Sequence, residues 1–357
     1  MGLSFKKEGL TRAIAAIAGA GGSEPAEAQR VAENLVMANL TGHDSHGIGM
    51  MPRYVEALLE RGLHPNRRVE VKLDAGSLLV LDGGAGYGQS IGLQATRMAI
   101  ERALSHGVSI TALGNSHHLG RIGHWAELAI EQGLVSLHFV NVISFARVAA
   151  YGGADGRFGT NPVCIGIPLP GEPPFVLDMA TSAVAQGKLR VAHNKGAKIP
   201  LGWLLDREGN PTDDPRWGVV QPFGAMQTFG GHKGYGLAVA CELLGGALTA
   251  GGTWHYPEGT KRRVLNGMLS IVIDPAKLGT RDAFEREARE YLDWIRKSPS
   301  APGFDRVRIA GEPERETRAQ RERDGIPVDD ETWREIGAAA AKLGLAPQRI
   351  DSLARGT

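Results

Sequence analysis

Six histidines stand in three glycine-bordered stretches: HDSHG at 43–47, NSHHLGRIGH at 115–124 and GGHKGYG at 230–236. Imidazole titrates near neutrality, so it can give or take the proton that accompanies hydride transfer to a carbonyl. Such a transfer leaves charge on oxygen and calls for a proton donor, a group that orients it, and cationic or N–H donors for an acid substrate. His46 is a candidate donor. Asp178 in FVLDMATS, or Asp44 beside the imidazole, could hold its tautomer, and His118, Arg121 or Lys233 could meet a carboxylate or a phosphate. A single histidine is more often a capping or packing residue, and Asp178 also reads as a strand-end or N-cap carboxylate because ATS follows it. The clustering beside glycine gives the chemical reading its weight.

His43 and His46, with His117, His118 and His124, also resemble scattered zinc ligands, which makes a zinc hydrolase a rival reading. No HExxH, CxxC or compact carboxylate cluster accompanies them, so no metal is expected. The two cysteines, Cys164 and Cys241, are far apart and read as reduced packing residues. The loop GGAGYG at 83–88 follows a strand and precedes a helix, as a dinucleotide-binding turn does. Gly84, Gly86 and Gly88 supply GxGxG, but the sixth position is Gln89, so the glycine that permits close helix–strand packing is missing. No GxxxxGK[ST] loop is present.

The elements that must position these residues follow from periodicity. Helices are expected at 7–20, at 24–40 with Ser23 as N-cap and Pro25 in the first turn, and at about 51–62. From 77 the pattern becomes α/β: strands at 77–83, 108–113, 134–140, 163–168, 175–178 and 268–274, and helices at 90–106, 121–133 and 234–249. Charged amphipathic helices return at 281–297 and 329–344, joined by a polar segment at 298–328. The expected division is a helical layer of 1–72 with 279–357 around a cofactor- and substrate-binding α/β core at 73–278. The 357 residues carry 40 basic and 39 acidic side chains spread along the chain, which argues against nucleic acid as a partner. No window approaches eighteen apolar residues and the start lacks a signal-peptide pattern, so neither a membrane nor export is expected and a cytoplasmic protein is the reading. The Met-Gly start lacks the Ser or Thr that myristoylation wants at the sixth position, which is Lys6.

Six ordered motifs, ANLTGHDSHGIGMMPRYVEAL, GNSHHLGRIGHWAE, GRFGTNP, LDMATSAVAQGKLR, GGHKGYGLAVACELLGG and GEPE with its following arginines, span some 270 residues. Together they resemble the type 2 malate/L-lactate dehydrogenase family, which also holds ureidoglycolate, sulfolactate and Δ1-piperideine-2-carboxylate oxidoreductases. The HDSHGIGM and SHHxGRIG wording is nearest its bacterial hydroxycarboxylate dehydrogenase branch, which reduces phenylpyruvate-like and other 2-oxo acids. The resemblance implies a non-Rossmann α/β fold: a largely antiparallel central sheet wrapped by helices, a helical layer from both termini, and a homodimer. It implies NAD or NADP as cofactor and a small 2-oxo or 2-hydroxy acid as substrate.

By the same resemblance His46 lies at the nicotinamide and substrate, and His118 is an acid/base, with His117 in the variable position before it. Asp178 joins them as the third catalytic candidate. Cofactor contacts would come from His46, from Gly120, Arg121 and Ile122, and from Val176, Leu177, Asp178, Met179 and Ala180. Further contacts would come from His232 and Lys233, from Asn266, and from Gly311, Glu312, Pro313 and Glu314. Thr160 and Asn161 of GTNP are added liners or a structural turn. Many members carry arginine four residues after the histidine of SHG; here that position is Met50, which cannot clamp a carboxylate. Arg121 is the first candidate to replace it, with Met50 and Met51 meeting an apolar substrate end. Reduction of a cyclic imine, and a noncatalytic ligand-binding relative, are the alternatives.

Overall fold

The computed structural model describes residues 2–255 and 264–357. At its centre a seven-stranded sheet runs in the order Glu70–Ala75, Leu78–Asp82, Val108–His117, Leu265–Ile273, Val135–Ile143, Val163–Ile167, Phe175–Met179. Every neighbouring pair is antiparallel except Leu78–Asp82 with Val108–His117. That parallel pair needs a crossover. It is supplied by a helix at Gly88–His106, ended by Gly107 at φ 88°. The sheet is therefore largely antiparallel and its glycine turn does not belong to a Rossmann unit.

The first three helices are α1 (Lys7–Ala20), α2 (Pro25–Leu40) and α3 (Met51–Leu59); α4 is the crossover and α5 is Gly123–Ile130. Buried Leu10, Ile14 and Ile17 of α1 and Val31 and Leu35 of α2 share one apolar cluster with Ile326, Ile336 and Ile350 from the other end of the chain. A short antiparallel pair, Leu3–Phe5 with Ile326–Val328, ties the two ends together. The helix Arg281–Arg296, grouped by sequence with this layer, packs elsewhere: its Leu292 meets Leu169 and Ile309, beside Ile167 and Phe175 of the central sheet.

Other departures from the sequence reading have simple causes. Ser23 does not cap α2; its hydroxyl donates to Glu27, and Glu24 takes the N-cap position. Strand Glu70–Ala75 is exposed along its whole length, so it carries no buried alternation to detect. A second sheet of five strands, two or three residues each, is too short for a periodic signal. Within the polar segment 298–328 a helix runs over Glu312–Asp324 and buries no residue, so apolar periodicity could not mark it. Charge holds it instead: Arg318 pairs with Glu322 one turn on, and Arg321 reaches Asp44. Among the described residues no helix is long and apolar enough to cross a membrane.

Candidate active site

The HDSHG stretch is a one-turn helix, Asp44–His46, pinned from below by Asn39 of α2. Asn39 donates to Asp44 Oδ1 (2.6 Å) and accepts from the Ile48 N–H (2.8 Å). A Cβ on Gly47 would stand 2.1 Å from Asn39 Oδ1, which is why glycine follows the histidine. Asp44 receives both terminal nitrogens of Arg321, at 2.6 and 3.0 Å. It is a clamp between the loop and the helix Glu312–Asp324 and does not hold the His46 tautomer. The nearest partner of His46 Nδ1 is Ser45 Oγ at 3.0 Å.

His118 follows strand Val108–His117 directly, and its ring lies flat on that of His46, with centroids 5.6 Å apart and planes 14° apart. The glycine turn supports it. A Cβ on Gly88 would fall 2.1 Å from the His118 carbonyl oxygen, so the third glycine of GxGxG lets α4 seat against the histidine segment. His118 Nδ1 is 2.7 Å from the Tyr54 hydroxyl, which accepts from Gln89 Nε2 at 2.9 Å. Leu119 N–H donates to Asn266 Oδ1 (2.8 Å), and Asn266 donates to the Asn141 carbonyl, fixing the next turn to the central strands.

Burial holds both imidazoles neutral. His46 is lowered to about 4, chiefly by desolvation, with His43 and Arg121 adding to the drop and Asp178 opposing it. His118 is held well below the usual imidazole range by desolvation, then by His46, His117 and Arg53.

The two rings open on a cleft of about 690 Å³ that is also lined by Met50, Gly120, Ile122, Thr160 and Asn266. Among the described residues four arginines line it, of which Arg190 and Arg334 are paired with Glu335 and Glu331, leaving Arg53 and Arg147 beside the phenyl groups. Arg147 is half-buried, its guanidinium 3.6 Å from the Phe223 ring centroid and 5.3 Å from that of Phe145. Arg53 lies 5.1 Å from the other ring contact, Phe145. Arg147 pairs with no carboxylate among the described residues, and its backbone is fixed on both sides, accepting from Met226 N–H and donating to the Phe158 carbonyl.

The sequence reading of Arg121 needs correction. Its side chain is 2% exposed and its guanidinium holds Glu127 by both terminal nitrogens, with Asp178 3.5 Å from Nε. Committed to two carboxylates, it is not a liner of the cleft and cannot clamp a substrate. Asp178 is likewise engaged, accepting from Gly123 N–H at 2.8 Å, and it reaches His46 through the electrostatic field, without a hydrogen bond. Its strand, which includes Val176, Leu177 and Met179 and is followed by Ala180, abuts Gly311: Val176 N–H donates to the Ala310 carbonyl. Beside Gly311, Glu312 and Pro313 open a helix whose Glu314 lies 3.4 Å from His43 Nε2. His43 thus faces Glu314 while His46 faces His118, and among the described residues no three His, Cys, Asp or Glu side chains converge as a metal would require.

His232 and Lys233 are the residues the fold leaves apart. They are exposed on the first turn of the helix His232–Cys241, beside Tyr151, and do not line this cleft. Of GTNP, Thr160 reaches the cleft, whereas Asn161 is buried in a knot with the Val142 N–H, the Ala238 carbonyl and Glu242. Sequence reasoning missed Tyr54, Gln89, Arg53 and Arg147. Tyr54 and Arg53 stood inside the quoted MMPRYVEAL motif, on the helix just past His46; Gln89 was noticed only as a missing glycine, and Arg147 carried no motif.

A nicotinamide fits the residues present. Ile122, Val140 and Pro162 give the cleft an apolar wall for a flat ring, and Gly120 at φ 72° brings backbone to it. Outside the residues lining this cleft, Glu314 Oε2 is buried without a partner among the described residues, an acceptor suited to a hydroxyl.

A model of the malate/L-lactate dehydrogenase family matches residues 5–337. The chain is 41% identical over 353 residues to hydroxycarboxylate dehydrogenase B of Escherichia coli (strain K12), covering 98% of this chain and 97% of that one. The solved sulfolactate dehydrogenase from Methanocaldococcus jannaschii superposes with a TM-score of 0.87 at 33% identity, over 97% of this chain and 99% of the other. Δ1-piperideine-2-carboxylate reductase from Pseudomonas syringae pvar. tomato gives a TM-score of 0.82 at 31% identity, over 94% and 99%. With its largely antiparallel sheet and the SHG and NSHH histidines stacked on one cleft, this chain belongs to the malate/L-lactate dehydrogenase family.

Proposed function

We propose that the protein moves hydride reversibly between NADH or NADPH and the carbonyl carbon of a 2-oxo acid carrying an apolar, aryl-like group. The observation that carries this reading is the pair of stacked, neutral imidazoles opening on a cleft walled by guanidinium and phenyl groups. A bound nicotinamide supplies or accepts the hydride at C4. The chain supplies proton, orientation and desolvation.

His118 is the better placed proton carrier, because one ring nitrogen is anchored by Tyr54 and the other is left for substrate. His46, stacked on it, packs beside the reacting carbon and keeps the pair in a desolvated setting. Asp178 tunes His46 at a distance, favouring its charged form. Arg147 and Arg53 take over the carboxylate that Met50 cannot hold, and Phe145 and Phe223 offer faces to an aryl side chain. Val176 to Ala180, Gly120 to Ile122 and Gly311 to Glu314 are assigned to the cofactor. Relatives named for malate, lactate and sulfolactate support a 2-hydroxy acid or its 2-oxo counterpart as the substrate.

The test is nicotinamide fluorescence of purified protein with NADH and with NADPH, against a panel of aryl and alkyl 2-oxo acids and cyclic imines at neutral pH. A hydroxy acid product, with the aryl acids preferred, is expected. An amino acid product would replace the ketone by an imine, and no turnover with any member would sink the reading.

A further inference from the structure

His118 can exchange a substrate proton only through the nitrogen that Tyr54 does not hold, and only if that nitrogen is bare when a hydroxy acid is to be oxidised. The hydrogen-bond chain behind the ring decides this. Tyr54 is fully buried and its hydroxyl is kept protonated far above neutrality by desolvation, so it always carries one proton to donate and one lone-pair face to accept. Its two partners are His118 Nδ1 at 2.7 Å and the Gln89 amide at 2.9 Å.

With the amide nitrogen toward the phenol, Tyr54 must donate to Nδ1, and neutral His118 carries its proton on Nε2. That tautomer cannot act as a base toward substrate. The same orientation strands Gln89 Oε1, buried without a partner among the described residues. An amide's oxygen and nitrogen occupy interchangeable positions, and the network fixes which is which. With the oxygen toward the phenol, Tyr54 donates to Gln89 and accepts from Nδ1–H, and Nε2 is bare.

We propose that Tyr54 and Gln89 are positioning residues that hold His118 as the Nδ1–H tautomer, leaving Nε2 to exchange the substrate proton. This rests on the dehydrogenase reading for its catalytic consequence, while the tautomer itself does not. In oxidation the substrate hydroxyl proton passes to Nε2 as the hydride leaves for the nicotinamide. The resulting imidazolium still donates from Nδ1 to Tyr54, so no bond in the chain has to reverse during turnover. The other groups facing His118 are His46 across the stack, His117 before it in the chain and the Arg53 guanidinium.

Two-bond proton–nitrogen correlation spectra of full-length protein labelled with nitrogen-15 histidine report the tautomer directly, with His118 assigned by its absence in His118→Gln. Wild type should show Nδ1–H at pH 7. Tyr54→Phe should convert it to Nε2–H, lower kcat about 100-fold, the range of a general acid–base contribution, and leave KM for the acid within about twofold. Gln89→Glu, whose carboxylate can only accept, should retain Nδ1–H and move the kcat/KM profile to higher pH, a readout that a packing role would not move. An Nε2–H signal in wild type, or an unchanged tautomer in Tyr54→Phe, overturns the proposal. An Nδ1–H signal in a protein that turns over no 2-oxo or 2-hydroxy acid overturns the dehydrogenase reading and leaves the hydrogen-bond assignment standing.

Discussion

Reduction of a 2-oxo acid consumes one proton, so the ratio of kcat/KM in the two directions must change about tenfold per pH unit whatever the protein does. Burial of the histidines decides which direction carries that slope. Free imidazole at pH 7 is protonated to about one quarter, from an ordinary value near 6.5. With His46 lowered to about 4, its protonated fraction at pH 7 falls to about one thousandth, and His118, held well below its usual range, is shifted in the same direction. Oxidation uses the neutral base, which is already the dominant form at neutral pH, so its kcat/KM should be flat from there to pH 9. Reduction uses the rare protonated form, so its kcat/KM should fall about tenfold per unit over the same span. The assay is steady-state kcat/KM in both directions at constant ionic strength, with the unperturbed titrations of substrate and cofactor measured alongside. A reduction profile that stays level to pH 7, with the slope appearing in oxidation, would mean an acid of high pKa and would refute the claim that desolvation dominates this pair.

Arg147→Met should raise KM for 2-oxo acids about 10- to 100-fold, the worth of a charged hydrogen bond, while leaving KM for the corresponding neutral amide and the affinity for NADH unchanged; equal losses for acid and amide would remove Arg147 from carboxylate recognition. Arg121→Leu should act on stability instead, because it strands Asp178, 8% exposed, without its cation: a loss of about 3 kcal/mol, read by denaturant unfolding, with an unchanged midpoint counting against the buried pairing. Gly88→Ala must displace the His118 backbone, whose carbonyl oxygen would lie 2.1 Å from the new Cβ. A fall in kcat of about 100-fold is expected for a shift of that order, and wild-type kcat in that variant would show that α4 can retreat without moving the histidine.

Local chemistry made much of the site legible. Glycine beside histidine marked the loop pinned by Asn39 and the segment seated on Gly88, because a close backbone approach leaves no room for a Cβ and that need is written one residue at a time. The missing glycine at Gln89 argued against a dinucleotide turn, and the central strands announced themselves through apolar runs. The six ordered motifs pointed to the family. The sequence was silent where stability comes from charge or where an element is exposed, as in the helix Glu312–Asp324 and the edge strand Glu70–Ala75.

Tertiary structure decided which groups are free to act. Arg121, His118 and Asp178 were equally eligible in the sequence, since a side chain's type does not record its partners. Folding commits Arg121 to Glu127 and Asp178, turns Asp44 toward Arg321, and separates Lys233 from the cleft. It also assembles what no linear pattern displays: Arg147 between two phenyl rings, and Tyr54 and Gln89 behind His118, brought together from positions 54, 89 and 118 by α3, α4 and the end of a central strand. The histidines were identifiable from the sequence because their identity is a local fact. Their neutrality and orientation were not, because desolvation and hydrogen-bond direction belong to the surroundings that the fold creates.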